Sequence, residues 1–169
     1  EVRMMIAEVE GRPFPEFYFE PTGLAIEPGD TVTFVAVTPH HTVTAYHAQQ
    51  GKPMRVPEGV GPFSSPVIPV GETWSYTFDV PGVYDVWCAP HEVFGMAMRI
   101  VAGEATGPGA SVIEAFGPMA VEGSAAAVLN SAPMRPEAIQ SAGAVSWTDV
   151  PDQAKVLPPF LQNVELPGE

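Results

Sequence analysis

The stretch Thr73-Trp74-Ser75-Tyr76-Thr77-Phe78-Asp79-Val80-Pro81-Gly82-Val83-Tyr84-Asp85-Val86-Trp87-Cys88 decides the fold class. Trp74, Tyr76 and Phe78 alternate with Thr73, Ser75, Thr77 and Asp79, the period of a strand with one buried face. Pro81-Gly82 supplies a turn, and Val83 to Cys88 reads as the next strand. Upstream, Leu24 to Val37 (LAIEPGDTVTFVAV) repeats the plan: a strand, a Pro-Gly-Asp turn, then a strand whose Val32, Phe34 and Ala36 alternate with Thr31, Thr33 and Val35. Downstream, Met96 to Ala102 reads as a closing strand, and Val2 to Val9 as a further strand on an outer edge. Apolar runs this short between frequent turn residues predict an all-β sandwich of about seven strands.

Between Ala48 and Pro66 the sequence QQGKPMRVPEGVGPFSSP has no sustained period, so it is a long excursion from the scaffold, the kind of loop that often carries function. Composition shifts again at Gly103-Glu104-Ala105-Thr106-Gly107-Pro108-Gly109. We therefore divide the chain into a sandwich at 1–103 and a C-terminal extension at 104–169, with short helices at about Met119 to Asn130 and Pro136 to Ala142. Ile113, Phe116, Leu129, Ile139, Val145, Trp147, Leu157, Phe160 and Leu161 are too many for a free tail. The extension is expected to pack across a face of the sandwich.

Among the 169 residues, 20 Asp and Glu stand against 7 Lys and Arg, a formal charge of −13. Nucleic acid and anionic membranes reward positive charge, so both are excluded as partners. No apolar run approaches the roughly 18–20 residues that span a bilayer, and Glu1-Val2-Arg3 does not begin a signal pattern. With one cysteine, Cys88, there is no internal disulfide.

Chemistry concentrates in Trp87-Cys88-Ala89-Pro90-His91-Glu92-Val93-Phe94-Gly95-Met96. A thiolate, an imidazole three residues on and a thioether five beyond that lie in one loop at a strand end. Soft sulfur with imidazole suits copper in both oxidation states, and a His-His-Cys plane with a long axial Met is the electron-transfer arrangement. A second histidine is needed, and His40 and His41 follow the strand Thr31 to Val37, at the end of the sandwich where the Cys88 loop is expected.

These residues resemble the small blue copper proteins, or cupredoxins, and among them the plastocyanin and halocyanin branch. Cys88, His91 and Met96 match its Cys-x-x-His-x-x-x-x-Met spacing, with Pro90 before the His and Gly95 before the Met. Pro39-His40-His41-Thr42-Val43 is similar to the branch's Pro-His-Asn-Val motif, and the His-x-Val spacing favours His41 over His40. Thr42 then stands where Asn is usual, a side chain that helps tie the two ligand loops. The resemblance covers about Leu24 to Ala102. It implies a Greek-key β-sandwich, one type 1 copper held by His41, Cys88, His91 and Met96, and single-electron transfer between redox proteins without enzymatic turnover. It also implies a monomer whose partners dock at the His91 edge under an apolar rim of Pro90, Val93 and Phe94. Export to the periplasm or the extracellular face of the membrane is implied too, the sequence then beginning after a removed leader.

A copper carrier that delivers the ion, with no electron-transfer role, would use the same ligands. Cys/His nucleophilic catalysis leaves Met96 and the second histidine without a role, and zinc is poorly served by a thioether. Met98 reads as strand packing, as do Met4, Met5 and Met54 as apolar filling. His40 and His47 read as surface histidines rather than an auxiliary metal site. Glu92, beside His91, is placed to shape the charge of a docking surface.

Overall fold

The computed structural model describes residues 1–162; residues 163–169 of the expected extension lie outside them. Strands β1 (Val2–Ala7), β2 (Glu16–Glu20), β3 (Gly23–Ile26), β4 (Asp30–Ala36), β5 (Thr44–Ala45), β6 (Thr73–Phe78), β7 (Gly82–Trp87), β8 (Ala97–Ala102) and β9 (Ala144–Val145) form two sheets. One has the order β2-β1-β4-β6 and the other β5-β7-β8-β3-β9. The alternation read in Val32-Thr33-Phe34 and Trp74-Ser75-Tyr76 is realised by antiparallel pairing of β4 with β6, Phe34 opposite Trp74. On the solvent face the same register pairs the hydroxyls of Thr31 with Thr77 at 2.7 Å and of Thr33 with Ser75 at 2.9 Å.

The first strand is not an edge. β1 lies between β2 and β4, antiparallel to one and parallel to the other. The edge belongs to β2, whose Phe17 and Phe19 alternate with Glu16, Tyr18 and Glu20 but are masked in the sequence by Pro13, Pro15 and Pro21. The long excursion after Ala48 returns to the scaffold through bridges pairing Thr44 with Ser64 and His41 with Ile68.

Between the sheets lies a core that includes Met4, Phe19, Phe34, Phe78, Met98 and Ile100, each without solvent exposure. All six residues of β8 are buried, because its other face is covered too. There Tyr46, Val83, Ala97 and Val101 meet Leu129, Met134, Ile139 and Trp147 of the extension in a second apolar cluster. Each such large side chain contributes about 1.5–3 kcal/mol through burial. The helices that deliver them, α1 (Gly123–Leu129) and α2 (Pro136–Ala142), fall where expected, α1 starting four residues late because Gly117 to Val121 form a turn closed by the bridge between Phe116 and Val121. Phe116 and Phe160 are exposed, at 61% and 62%.

An ionic triad pins this second interface. Asp85 on β7 is wholly buried and accepts from Arg55 Nε at 2.7 Å and from Arg99 Nε and Nη2 at 2.8 and 3.0 Å. Arg99 then donates to the carbonyls of Leu129 and Met134, and Arg55 to those of Gly109 and Ser111. Gly109 sits so close that a Cβ would lie 2.8 Å from the Arg55 and Val83 carbonyl oxygens. β9 completes the packing by pairing with β3, so the extension adds a strand to the sandwich.

Candidate metal centre

Cys88 follows β7 directly, and its loop turns back at once. Its N–H donates to the Met96 carbonyl at 3.0 Å, while His91 N–H donates to the Cys88 carbonyl at 3.0 Å and Met96 N–H to the His91 carbonyl at 3.2 Å. Gly95 takes φ +93°, a left-handed conformation that glycine adopts without a Cβ penalty, and this lets the chain re-enter β8. His91 and Met96 are thereby folded back beside Cys88, with Met96 fully buried.

The second histidine comes from the segment between β4 and β5. His40 is exposed and has φ +67°, an uncommon conformation for a residue with a Cβ. After that turn His41 faces inward with no solvent exposure, its carbonyl accepting from Ile68 N–H at 2.9 Å. His41 Nδ1 lies 3.7 Å and His91 Nδ1 3.6 Å from Cys88 Sγ. The donor atoms of His41, Cys88 and His91 all lie within 4.8 Å of one another.

Burial governs the protonation of this group. Desolvation holds His41 down to about 4, with His91 and His40 adding repulsion, and lowers His91 in the same sense. It pushes the Cys88 thiol up to about 11 despite the Thr42 N–H, which donates to Sγ at 3.4 Å. Two neutral imidazoles and a thiol aimed at one point, with no cation paired to the sulfur among the described residues, form a donor set that fits a soft transition-metal ion.

A family described as copper binding proteins of the plastocyanin/azurin kind matches residues 8–103. The chain belongs to the plastocyanin/azurin family. Among curated relatives, pseudoazurin of Paracoccus pantotrophus is 36% identical over 87 residues, 52% of this chain and 54% of that one. The chloroplastic plastocyanin of Hordeum vulgare is 34% identical over 88 residues, 48% and 52% of the two chains. The chain thus spans about half the length of the curated relatives it matches. The structure of pseudoazurin from Methylobacterium extorquens AM1 superposes with a TM-score of 0.51 at 21% identity, covering 83% of this chain and 93% of that one, and shows the shared fold. This cupredoxin is therefore a copper-binding protein, and His41, Cys88 and His91 are arranged as a metal site.

Several residues around the centre were read differently in the sequence. Glu92 is not a docking charge: it is buried, ion-paired with Lys52 at 2.6 Å, and accepts from Tyr46 Oη at 2.7 Å. His47 is buried and its Nδ1 accepts from Gln49 N–H at 3.1 Å, capping the turn Ala48–Gln50. Met98 and Met4 are core residues as expected, whereas Met54 lies at the surface with its sulfur facing Ala48 N–H at 3.3 Å. Of the apolar rim, Pro90 is exposed and Val93 and Phe94 are half-buried. Phe17, unforeseen, packs its ring 4.7 Å from His91 and 4.6 Å from Phe94. Phe160 of the extension approaches Phe94 from outside at 6.4 Å.

Proposed function

We propose that this protein is a one-electron carrier whose type 1 copper is held by His41 Nδ1, Cys88 Sγ, His91 Nδ1 and, as axial ligand, Met96. The observation that carries the reading is the convergence of two imidazole Nδ1 atoms on one buried sulfur at 3.7 and 3.6 Å. Bound there, copper would supply the one-electron couple between its two oxidation states. The protein's part is to keep the donors in place. The Cys88–Met96 and Met96–His91 backbone hydrogen bonds hold the loop closed, and burial excludes water from the thiolate.

His91 is the ligand nearest the surface, at 8% exposure, and Pro90, Val93, Phe94 and Phe17 surround it with apolar side chains. Protein redox partners would dock on this edge of a monomer. Residues 1–103 would form the copper unit and 104–169 its packed extension. Membership of the copper-binding plastocyanin/azurin family supports electron carriage, and export to the periplasm or the extracellular face of the membrane belongs to the same proposal. Delivery of copper to an acceptor would call for an exposed, exchangeable site, whereas all four proposed ligands are buried.

Visible absorption during Cu(II) titration tests the reading. One equivalent should give an intense thiolate-to-copper band that bleaches and returns through redox cycles and is absent in Cys88→Ser. A weak band indifferent to Cys88, or copper that passes freely to a Cu(I) chelator in each cycle, would reject it.

A further inference from the structure

His41 is gripped at both ring nitrogens. Nδ1 faces Cys88 Sγ, and Nε2 lies 2.8 Å from Thr38 Oγ1. Thr38 is itself fixed, since its Oγ1 accepts the backbone N–H of Ile6 in β1 at 2.7 Å, across 32 residues of sequence. A hydroxyl oxygen offers two acceptor lone pairs, and Ile6 occupies one of them. The other is placed to accept an Nε2–H from His41. A neutral imidazole with its proton on Nε2 carries a free lone pair on Nδ1, the atom aimed at the sulfur. The opposite tautomer would put a proton between Nδ1 and Cys88, where no metal could then be bound by that nitrogen.

We propose that Thr38 is a positioning residue for the metal centre, its hydroxyl accepting the Nε2–H that His41 carries when Nδ1 is the ligating atom and setting the ring angle so that Nδ1 points at the ion. The inference rests on the copper reading above and extends it to a residue outside the donor set. It also makes β1 part of the centre's support, because Ile6 holds the hydroxyl that holds the ring. His91 is supported differently, its ring lying against Phe17.

The test compares the wild type, Thr38→Val, which keeps shape and removes the hydroxyl, and Thr38→Ser, which keeps the hydroxyl. Cu(II) affinity, the visible band and the reduction potential are measured for each, together with the imidazole proton signals of the Cu(I) protein by nitrogen-resolved NMR. Thr38→Val should bind copper roughly 10–100-fold more weakly, shift the band and the potential, and lose the slowly exchanging Nε2 proton of His41. Thr38→Ser should restore all four. A Thr38→Val protein that is merely less stable, with wild-type affinity, band, potential and imidazole proton, overturns the proposal. So does a wild-type Cu(I) protein whose His41 proton sits on Nδ1 or exchanges freely, whether or not the valine variant folds. Absence of the intense band in the wild type overturns the copper reading and takes this inference with it, whereas a wild-type band with an indifferent Thr38→Val overturns this inference alone.

Discussion

Thr42 Oγ1 accepts the backbone N–H of Ala89 at 2.8 Å, joining the segment that carries His41 to the loop that carries Cys88 and His91. The backbone N–H of the same Thr42 donates to the Cys88 sulfur. A threonine hydroxyl thus makes the tie for which the resemblance led one to expect an asparagine. Thr42→Val should cost about 1 kcal/mol of stability by removing one acceptor and should raise the rate of copper loss to a chelator severalfold. Stopped-flow chelation against the wild type measures this, and equal rates would show that the loops hold their spacing without the bond.

The Asp85 triad makes a sharper thermodynamic demand. Asp85→Asn leaves Arg55 and Arg99 buried with their positive charge uncompensated, and removing one partner of a buried ion pair costs about 3–5 kcal/mol. Urea unfolding should show that loss. A change below 1 kcal/mol would mean that the extension carbonyls alone satisfy the two guanidiniums.

Stability of the metal-free protein should depend on pH at both ends of the range. His41 takes its proton near 6.5 when unfolded but only at about 4 when folded, so the unfolded state binds more protons between those values. Stability therefore falls as pH drops from about 6.5 towards 4. For Cys88 the folded value is raised from 9.0 to about 11, so the unfolded chain loses its proton first and stability falls as pH rises through that window. Urea midpoints across pH test both limbs: His41→Gln should flatten the acid one and Cys88→Ala the alkaline one, and variants with wild-type slopes would contradict the assignment.

The apolar edge beside His91 is partly roofed by residues 157–161 of the extension. Phe14, Pro15, Phe17 and Phe94 share a pocket with Leu157, Phe160 and Leu161. Ending the chain after Val156 should leave the blue band unchanged and speed electron self-exchange between copies, as read from NMR line broadening in mixed-valence samples. Phe94→Asp should slow it. Self-exchange insensitive to both changes would place docking elsewhere on the surface.

The legible parts of this molecule were those with a local signature. Trp74, Tyr76 and Phe78 announced β6 through strict alternation, and the spacing of Cys88, His91 and Met96 announced the loop because all three ride on one turn. The His-x-Val spacing favoured His41 over His40, whereas the left-handed turn at His40 that precedes the inward-facing His41 leaves no compositional trace. Phe17 escaped notice because it reaches His91 from a strand distant in sequence. Thr38 lies only three residues before His41, but nothing local shows that its hydroxyl is held by Ile6 of β1. Glu92 was misread for a related reason: its partner Lys52 lies 40 residues away in a loop with no regular period. Periodicity reports which face of an element is buried, but it does not report what the other face will meet. The fully buried β8 shows this, since Ala97 and Val101 on its outer face pack with residues of the extension.

The extension also clasps the beginning of the chain. Trp147 donates from Nε1 to Glu16 at 2.6 Å and stacks on Tyr18 at 5.1 Å, while Arg12 reaches Asp152 at 2.9 Å, contacts that span 131, 129 and 140 residues. Loops of that size close slowly, because the entropy of bringing the ends together must be lost before any contact rewards it. β2 can pair with β1 locally, yet Tyr18 on its outer face finds its aromatic cover only when Trp147 arrives. The sheet edge is therefore finished last, by a residue from the far side of the sequence.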